Sequence, residues 1–264
     1  MKSTKKILTA LLAMVMIISM VACGSNKKND STDDAAGDAQ ETKTYIIATD
    51  TTFAPFEYED ESGNLVGIDM DLLNAIAEDQ GFEVEVKVLG FTAAVQAVEA
   101  GQADGVIAGM SITDERKETF DFSESYFDSG VVMAVKQDSN IKGYEDLNGK
   151  KVAVKTGTEG SAFAESIKDE CGFELVTFDD SSSMYQDVIV GNSAACFEDY
   201  PVIGYAISQG LELTMPTDKE QGSSYGFAVK KGENTELLEM FNEGFKNLQE
   251  SGKYQEILDT YIKE

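Results

Sequence analysis

The sequence predicts an α/β fold in two lobes, and two observations support this prediction. Strand-like and helix-like segments alternate twice along the 264 residues, once over 44–110 and again over 150–199. An extended segment at 125–136 leads from the first series to the second, and another at 222–232 leads back. Alternating strands and helices are typical of mostly parallel sheets with helices on both faces.

The elements of the first series follow from their hydrophobic patterns. Its predicted strands are TYIIATD, FEVEVKVL and DGVIAGM, and its predicted helices are DMDLLNAIAEDQG and TAAVQAVEAGQ. The first helix places Leu72, Leu73 and Ile76 on one face and ends at Gly81. This spacing is typical of a helix that packs one face against a sheet.

The second series repeats the pattern. Its predicted strands are KKVAVKTG, FELVTF and SAACFED, and its predicted helices are EGSAFAESIKDE and SSSMYQDVIVG. Two further helices close the chain; their apolar stripes are Leu237, Leu238, Phe241, Phe245 and Leu248 in the first, and Tyr254, Ile257, Leu258 and Tyr261 in the second. The two crossings predict lobe 1 at 44–126 and 226–264, lobe 2 at 131–220, and a double hinge at 127–130 and 221–225.

Residues 1–22 have the features of a signal peptide. Lys2, Lys5 and Lys6 precede an apolar run that is too short to read first as a membrane span. The run ends at Ala22 and Cys23, which resembles a lipobox and implies cleavage before a lipidated Cys23. The alternative is an ordinary secretory signal with an incidental cysteine. Residues 23–43 have almost no large apolar side chains and predict a flexible tether.

The composition excludes several function classes. The formal charge is −27, and removal of the leader takes away three lysines and leaves −30. This charge argues against nucleic acid or an anionic lipid surface as an electrostatic partner. The chain has no histidine, which excludes Ser-His-Asp and Cys-His catalysis and histidine-ligated metals; no cofactor or metal is predicted. Cys171 and Cys196 are expected to be free, mostly buried thiols.

Arg116 is the only arginine among 21 basic side chains. It lies in SITDERK, where Thr113 is predicted to cap a helix whose first turn contains Asp114 and Glu115. A cation in that turn opposes the helix dipole, so a bound or buried anion is expected to compensate. A guanidinium suits a carboxylate because it donates two parallel hydrogen bonds. The alternative is a surface arginine that pairs with a neighbouring acid.

Polar and aromatic side chains collect where the predicted strands end. In open α/β sheets, ligands bind beyond the carboxyl ends of the strands. The candidate binding residues at or just after these ends are Asp50, Phe53, Phe91, Gly109, Ser111, Arg116, Lys155, Thr158, Glu198 and Asp199. Each has an ordinary structural explanation by itself, since the phenylalanines suit a core and TGT suits a turn. Their joint position predicts a ligand site.

Six segments carry a family resemblance: ATDTTFAPFEY, GIDMDLLNAIA, VIAGMSITDERK, DFSESY, DLNGKKVAVKTGTEGS and FEDYP. Together they resemble the amino-acid-binding proteins of ABC importers, nearest to the glutamine-binding branch, from about residue 44 to the C terminus. The resemblance implies the periplasmic-binding-protein type II fold and a free amino acid as ligand. It also implies ABC permease and ATPase subunits as partners, and an extracytoplasmic, lipid-anchored monomer without enzymatic turnover.

The resemblance implies a role for each candidate residue. Arg116 would hold the ligand α-carboxylate with the help of Ser111. Asp199 would hold the α-ammonium together with the Gly109 carbonyl. Phe53 and Phe91 would lie on either side of the aliphatic stem of the ligand. Asp50 and Lys155 would contact its side-chain head group, and Thr158 would line the wall of the second lobe.

Glu198 departs from the glutamine-binding pattern, in which a histidine precedes the ammonium-binding acid. Once the zwitterion occupies Arg116 and Asp199, the remaining groups are Asp50, Glu198 and Lys155, with a formal charge of −1. A glutamine amide suits Asp50 and Lys155, whereas a glutamate would face two acids. A cationic side chain would be attracted by Glu198 but repelled by Lys155. Glutamine or another polar neutral amino acid is therefore expected first, and a basic amino acid, arginine or lysine, second.

Two other functions are compatible with this fold. Some dehydratases share it, and without histidine such an enzyme would need Glu198, Asp50 or Lys155 as its acid or base. A soluble sensor domain is the other alternative. The lipobox favours a tethered binding protein over a sensor.

Overall fold

The structure is a computed structural model that describes residues 42–220 and 222–262. The predicted signal peptide, the lipidation site Cys23 and the tether up to residue 41 lie outside the described residues. Within the ranges described, no helix is both long enough and apolar enough to cross a membrane.

The elements alternate along the chain much as the sequence predicts. The strands are β1 (Thr44–Thr49), β2 (Thr52–Phe53), β3 (Glu57–Glu59), β4 (Leu65–Val66), β5 (Glu83–Val88), β6 (Gly105–Val106), β7 (Phe120–Phe122), β8 (Phe127–Lys136), β9 (Lys151–Lys155), β10 (Glu174–Phe178), β11 (Ala195–Asp199), β12 (Leu213–Thr214), β13 (Gly222–Tyr225) and β14 (Ala228–Lys230). The helices are α1 (Ile68–Gln80), α2 (Phe91–Glu99), α3 (Glu159–Cys171), α4 (Ser181–Ile189), α5 (Tyr200–Ser208), α6 (Thr235–Ser251) and α7 (Lys253–Tyr261).

Each lobe is built on one mixed sheet. The first sheet has the strand order β5-β1-β6-β14-β7, and the second has the order β10-β9-β11-β8-β12, with β13 paired to β8. The pairs within β5-β1-β6 and within β10-β9-β11 are parallel. The strands β14, β7, β8, β12 and β13 add in antiparallel orientation. The two-lobed α/β prediction is confirmed, but the sheets are mixed because the segments that cross between lobes enter the sheets in reverse.

The two crossing segments run side by side. Phe127 at the start of β8 pairs with Tyr225 of β13, and Gly130 pairs with Gly222. The predicted hinge ranges 127–130 and 221–225 fall on this pair of strands, although residue 221 lies outside the described residues. Beyond Gly130, β8 continues into the second sheet and pairs with β11.

Helices α1, α6 and α7 pack together on the first sheet. The predicted faces of α1 and α6 are mostly buried, with Leu72 and Ile76 of α1 in the same apolar cluster as Phe241 and Phe245 of α6. In the predicted stripe of α7 only Ile257 is buried, and the other three residues are partly buried against this cluster. Gly244 permits the close approach of α6 to α1, because a Cβ there would lie 2.8 Å from the Ile76 side chain. Burial of each such leucine or phenylalanine contributes roughly 1.5–3 kcal/mol.

The second sheet is buried on both faces. Along β8, Val131 and Met133 point into one apolar cluster, while Val132 and Ala134 point into the other. Cys196 is buried in the second cluster, Cys171 is half-buried, and both are free thiols. The expected burial holds for Cys196 and only in part for Cys171.

Several short elements differ from the prediction. The helix expected after Thr113 is a single 3₁₀ turn at Arg116–Glu118, because the chain turns at once into β7. The predicted strand DGVIAGM pairs only over Gly105–Val106. The expected strand over 222–232 is divided into β13 and β14. Gly226 lies between them and packs against Ile112, at the point where the chain ends its pairing with β8 and enters the first sheet. Helix α5 and the small β2-β3-β4 sheet were not predicted from the sequence.

Candidate functional site

A small cavity lies between the two lobes. The empty space among its lining atoms is about 250 Å³, part of it open to solvent, and its lining residues are Phe53, Phe91, Ala108, Gly109, Ser111, Arg116, Lys155, Thr158, Glu159 and Asp199. The cavity contains eight of the ten predicted site residues. Asp50 and Glu198 are not part of its lining.

Strand ends from both lobes meet at this cavity. Lys155 ends β9 and Asp199 ends β11, both in the second sheet. Gly109 and Ser111 follow β6 of the first sheet. Thr158 precedes α3, where its hydroxyl oxygen accepts a hydrogen bond from the Ser161 amide at 3.2 Å. The N terminus of α3 therefore lies at the cavity, and the positive end of the helix dipole there favours a bound anion.

Arg116 spans the gap between the lobes. Its Nη1 donates to the Ser111 carbonyl at 2.8 Å, and its Nη2 donates to the Gly157 carbonyl of the other lobe at 2.9 Å. The guanidinium carbon lies 5.3 Å from the centre of the Phe91 ring, a cation–π distance. Two of its five N–H groups are used in these bonds, which leaves three for a ligand. Burial lowers the pKa of Arg116, and the negative charges of Glu159 and Asp199 oppose this effect.

Lys155 carries the second cation of the cavity. Its Nζ forms an ion pair with the Asp50 carboxylate, and both side chains are buried. The same Nζ lies 5.0 Å from the Phe53 ring centre. The Asp50 carboxylate also accepts hydrogen bonds from the Thr51 amide at 2.7 Å and the Thr52 hydroxyl at 3.2 Å. Asp50 thus lies behind Lys155 as its counter-ion.

Asp199 is the buried acid on the opposite wall. Its Oδ2 accepts a hydrogen bond from the Tyr225 hydroxyl at 2.6 Å, and that hydroxyl accepts one from Ser129 at 3.0 Å. Burial and, to a smaller extent, the negative charge of the neighbouring Glu198 raise the pKa of Asp199 to about 7. The hydrogen bond from Tyr225 acts the other way. A cationic group that entered the cavity would therefore meet a carboxylate with few compensating charges.

Glu198 faces away from Asp199 because successive side chains of β11 alternate. Its Oε2 accepts a hydrogen bond from the Tyr185 hydroxyl at 2.9 Å, and its Oε1 accepts one from the Asp199 amide at 3.0 Å. Burial raises the pKa of Glu198, while Lys155 lowers it. The structure places this predicted site residue behind the cavity wall.

The loop from Gly109 to Ser111 forms the floor on the side of the first lobe. Gly109 has φ +53°, and a Cβ there would lie 2.4 Å from the Phe53 ring. Only glycine therefore allows Phe53 to lie against this loop. The Gly109 amide donates to Asp69 Oδ2 at 2.8 Å, so the loop is anchored to the first turn of α1.

Besides Ala108 of the cavity lining, three polar residues of the site were not predicted from the sequence. Glu159 lines the cavity, Tyr225 donates to Asp199, and Asp69 anchors Gly109. Glu159 follows Thr158 directly, so the helix start after β9 was an available signal for it. Neither Tyr225 nor Asp69 follows a strand of the alternating series, and their roles depend on contacts that are distant in sequence.

Comparison with known proteins identifies the family. The profile of the bacterial extracellular solute-binding proteins, family 3, matches residues 45–264. The chain belongs to this family. The arginine-binding extracellular protein ArtP of Bacillus subtilis is similar to this solute-binding protein, with 31% identity over 258 residues, which cover 96% of each chain.

Two solved structures show the same fold as this family 3 protein. The second substrate-binding domain of GlnP from Lactococcus lactis, in an open conformation, is 43% identical with a TM-score of 0.60, and the match covers 85% of this chain and 97% of that one. An ancestral arginine-binding protein bound to arginine is 36% identical with a TM-score of 0.78, and the match covers 83% and 98%.

The cavity of this solute-binding protein presents opposite charges to one small volume. Arg116 reaches it from the first lobe and Asp199 from the second. Between them, Phe53 and Phe91 supply apolar rings. The geometry suits a small molecule that carries an anionic group and a cationic group near each other, with an apolar segment beyond them.

Proposed function

We propose that the chain captures a free polar amino acid between its lobes and delivers it, without chemical change, to an ABC permease and its ATPase subunits. The observation that carries this proposal is that Arg116 and Asp199 line one small cavity between the lobes. An α-amino acid is the simplest molecule that places a carboxylate and an ammonium at neighbouring positions.

In the proposed complex, the α-carboxylate lies against Arg116. The guanidinium retains three N–H groups beyond its bonds to the carbonyls of Ser111 and Gly157. The Ser111 hydroxyl and the N terminus of α3 after Thr158 are further donors for the carboxylate. A charge-assisted pair of this kind contributes roughly 1.5–3 kcal/mol.

The α-ammonium pairs with Asp199 and the Gly109 carbonyl. Tyr225 holds the Asp199 carboxylate in place through its hydroxyl at 2.6 Å. The aliphatic stem of the ligand lies between the rings of Phe53 and Phe91. This arrangement uses each polar end of the ligand and excludes water from its middle.

Glutamine is the first candidate for the ligand. Lys155 lies beside the Phe53 ring and can donate to an amide carbonyl, while Asp50 behind it serves as its counter-ion. Because the charge of Lys155 is balanced by Asp50, the head-group region is close to neutral, which suits a neutral amide.

A basic amino acid is the second candidate, and Glu159 is the observation that favours it. Glu159 is a further carboxylate of the cavity lining, near enough to Arg116 and Asp199 to affect their pKa values. Its Oε2 is buried without a hydrogen-bond partner in the described structure. An additional carboxylate increases the attraction for a cationic side chain. The similarity to arginine-binding relatives supports the same ligand class.

The lobes are proposed to close on the ligand about the paired crossings β8 and β13. The interlobe contacts in the described arrangement include Arg116 to Gly157 and Thr92 Oγ1 to the Thr156 carbonyl at 3.2 Å. The TM-score is higher for the arginine-bound ancestral protein than for the open GlnP domain, although the GlnP domain is more identical. This difference supports the interpretation that the described arrangement is a closed one.

The site of action is proposed to be the outer face of the cell membrane. The proposed lipid on Cys23 and the tether over 23–43 keep a monomeric domain near its permease, with lobe 1 at 44–126 and 226–264 and lobe 2 at 131–220. The strong negative charge of the protein makes an anionic membrane surface a poor electrostatic partner. The proposed membrane attachment therefore depends on the lipid bound to Cys23 alone.

Titration calorimetry on the mature chain tests the proposal. L-glutamine, L-arginine, L-lysine and L-histidine are titrated separately, and the reaction mixtures are analysed by mass spectrometry. We expect saturable binding of one class with one site and recovery of the unchanged amino acid. Absence of binding by every amino acid, or appearance of a product, contradicts the proposed function.

A further inference from the structure

Two carboxylates lie together in the core of the first lobe, beneath the cavity. Glu57 belongs to β3 and Asp69 to the first turn of α1, and the exposed fraction of each is 0%. The side chains are within hydrogen-bonding reach of each other. Two adjacent anions in an apolar interior repel strongly, so the pair is stable only if a proton or a cation accompanies it.

The hydrogen-bond donors around the pair all serve Asp69. Its Oδ2 accepts from the Gly109 amide at 2.8 Å and from the Tyr126 hydroxyl at 2.9 Å. Its place in the first turn of α1 adds the favourable helix dipole. In contrast, both oxygens of Glu57 and the Oδ1 of Asp69 have no protein donor in the described structure. A proton on Glu57 that bridges to Asp69 Oδ1 satisfies two of these three atoms.

The electrostatic surroundings support the same distribution of charge. Burial raises the pKa of Glu57 well above its usual value, and the charges of Asp69 and Asp50 act in the same direction, while Lys155 opposes them. Burial also raises the pKa of Asp69, to about 6, against the hydrogen bonds from Gly109 and Tyr126. At neutral pH, Glu57 is therefore the neutral partner and Asp69 the anion.

We propose that Glu57 and Asp69 share one proton, with neutral Glu57 donating to anionic Asp69, and that Asp69 is a positioning residue that orients the Gly109 peptide toward the ligand. The second part rests on the proposed function, since it concerns the ligand loop. Gly109 connects the two sites: its N–H, in the Ala108–Gly109 peptide, is held by Asp69, and its Cα lies directly against Phe53. The carbonyl of Gly109 belongs to the following peptide and starts from the same Cα, so a displacement of that Cα moves both the proposed ammonium-binding carbonyl and the contact with the aromatic wall.

The test for the proton uses infrared spectroscopy on the mature chain at pH 8 without added amino acid. The matched variants are Glu57→Gln, which keeps a neutral donor of the same shape, and Glu59→Gln, an exposed glutamate on the same strand. We expect the wild-type spectrum to contain a protonated-carboxyl C=O band that is absent from Glu57→Gln and retained in Glu59→Gln. Identical spectra for wild type and Glu57→Gln in this region overturn the shared proton.

The test for positioning uses the Gly109 amide itself. We expect its proton NMR resonance to move upfield in Asp69→Asn, because a neutral amide oxygen is a weaker acceptor than a carboxylate, and to stay in place in Glu59→Gln. The dissociation constant for whichever of L-glutamine and L-arginine binds the wild type should rise at least about tenfold in Asp69→Asn. In Glu57→Gln and Glu59→Gln it should stay within about threefold.

The outcomes separate this inference from the proposed function. An unchanged Gly109 resonance together with unchanged affinity in Asp69→Asn overturns the positioning role. If Asp69→Asn does not fold, the affinity of Glu57→Gln is the deciding measurement. A loss of tenfold or more there shows that a neutral amide cannot replace the Glu57 donor, which overturns the proposal. If none of the four amino acids titrated above binds the wild type, the proposed function fails, while the infrared band and the Gly109 resonance still decide the proton and the contact.

Discussion

The Nζ of Lys155 in the second lobe is paired with the Asp50 carboxylate in the first, and both side chains are buried. The pair joins the lobes, because Lys155 ends β9 of the second sheet and Asp50 follows β1 of the first. In the proposed open arrangement, water would solvate both charges separately. We therefore expect the pair to contribute to the proposed closure of the lobes more than to folding of either lobe.

Replacement of this lysine should weaken binding without unfolding the protein. Lys155→Met leaves Asp50 as an unpaired buried charge in the closed arrangement, which costs about 3–5 kcal/mol if the lobes stay closed. We expect the affinity for the amino acid to fall at least tenfold and the ligand-induced decrease in radius of gyration to disappear in small-angle scattering. The free energy of unfolding in urea should change by no more than about 1 kcal/mol, because the open form hydrates Asp50.

The control for this prediction is Lys253→Met, which removes the exposed lysine paired with Glu256 at 3.2 Å. It should leave both affinity and scattering unchanged. A Lys155→Met protein that binds normally and still compacts on binding would show that the interlobe pair has no role in closure.

Arg116→Lys should bind at least about tenfold more weakly than wild type, and Arg116→Ala more weakly still. Lysine keeps the charge but cannot donate to the carbonyls of Ser111 and Gly157 and also present a planar fork to a carboxylate. Calorimetry measures the affinity, and circular dichroism checks that both proteins are folded. Lys117→Met, at the exposed neighbouring position, is the matched control. Binding of Arg116→Lys within about twofold of wild type contradicts the carboxylate fork.

Affinity should fall as the pH is lowered through 7. The pKa of Asp199 is raised to about 7 in the absence of a ligand ammonium, so protonation below that pH removes the anion that binds the ammonium. The apparent dissociation constant should rise by up to about tenfold per pH unit between pH 7 and pH 5. Calorimetry in buffers of different ionisation enthalpy should detect proton release on binding near pH 6–7, since the ammonium lowers this pKa again.

The same shift has the opposite sign for folding. Because the pKa of Asp199 is higher in the folded protein than the ordinary 3.8, its contribution to stability is present below pH 4 and is lost as the pH rises to about 7. Asp199→Asn should remove this pH dependence of the free energy of unfolding. It should also bind the amino acid weakly at every pH. An Asp199→Asn protein with the wild-type pH profile would assign the titration to another group.

Ligand preference should respond to Glu159 more than to Glu198. Glu159 lines the cavity and has an unpartnered oxygen, whereas Glu198 is bound to Tyr185 and to the Asp199 amide behind the wall. We expect Glu159→Gln to lower the ratio of arginine to glutamine affinity by about threefold to tenfold. Glu198→Gln should change this ratio less. The reverse order, measured by calorimetry with both amino acids, contradicts the placement of Glu198 outside the cavity.

Membrane attachment should depend on Cys23. Cys23→Ser should give a soluble or unprocessed protein, because the proposed lipid has no attachment point. Deletions within residues 24–41 should leave amino-acid affinity unchanged. Membrane fractionation with mass spectrometry of the N-terminal peptide measures both. A processed and acylated Cys23→Ser protein contradicts the lipobox interpretation.

The long elements of the fold were predictable because their side chains repeat with the period of a helix or strand. Helix α1 and strand β11 follow directly from such patterns. The short strands β2 to β4 and the 3₁₀ turn at Arg116 were not, because two or three residues contain no period and their conformation depends on distant partners. The single turn also weakens the dipole argument for Arg116, whose position at the cavity is explained by its contacts instead.

The site was predictable as far as strand ends define it. Lys155 and Asp199 lie on the cavity because parallel strands bring their carboxyl ends to one edge. The sequence could not distinguish Asp69 from Asp71, two residues later in the same helix, although the first is fully buried and the second partly exposed. The sequence also could not show which face of β11 meets the cavity. Adjacent side chains of a strand point to opposite faces, so Glu198 points away from the cavity because Asp199 points into it.

The pairing of β8 with β13 limits how the lobes can move. Two separate linkers would allow the lobes to twist, slide and separate independently. The register Phe127 to Tyr225 and Gly130 to Gly222 ties the crossings into a single ribbon, whose hydrogen bonds resist sliding but allow bending across its plane. The proposed opening would thereby be restricted to essentially one rotational degree of freedom, and the proposed permease could read the state of the whole cleft from the lobe spacing at one point of its rim.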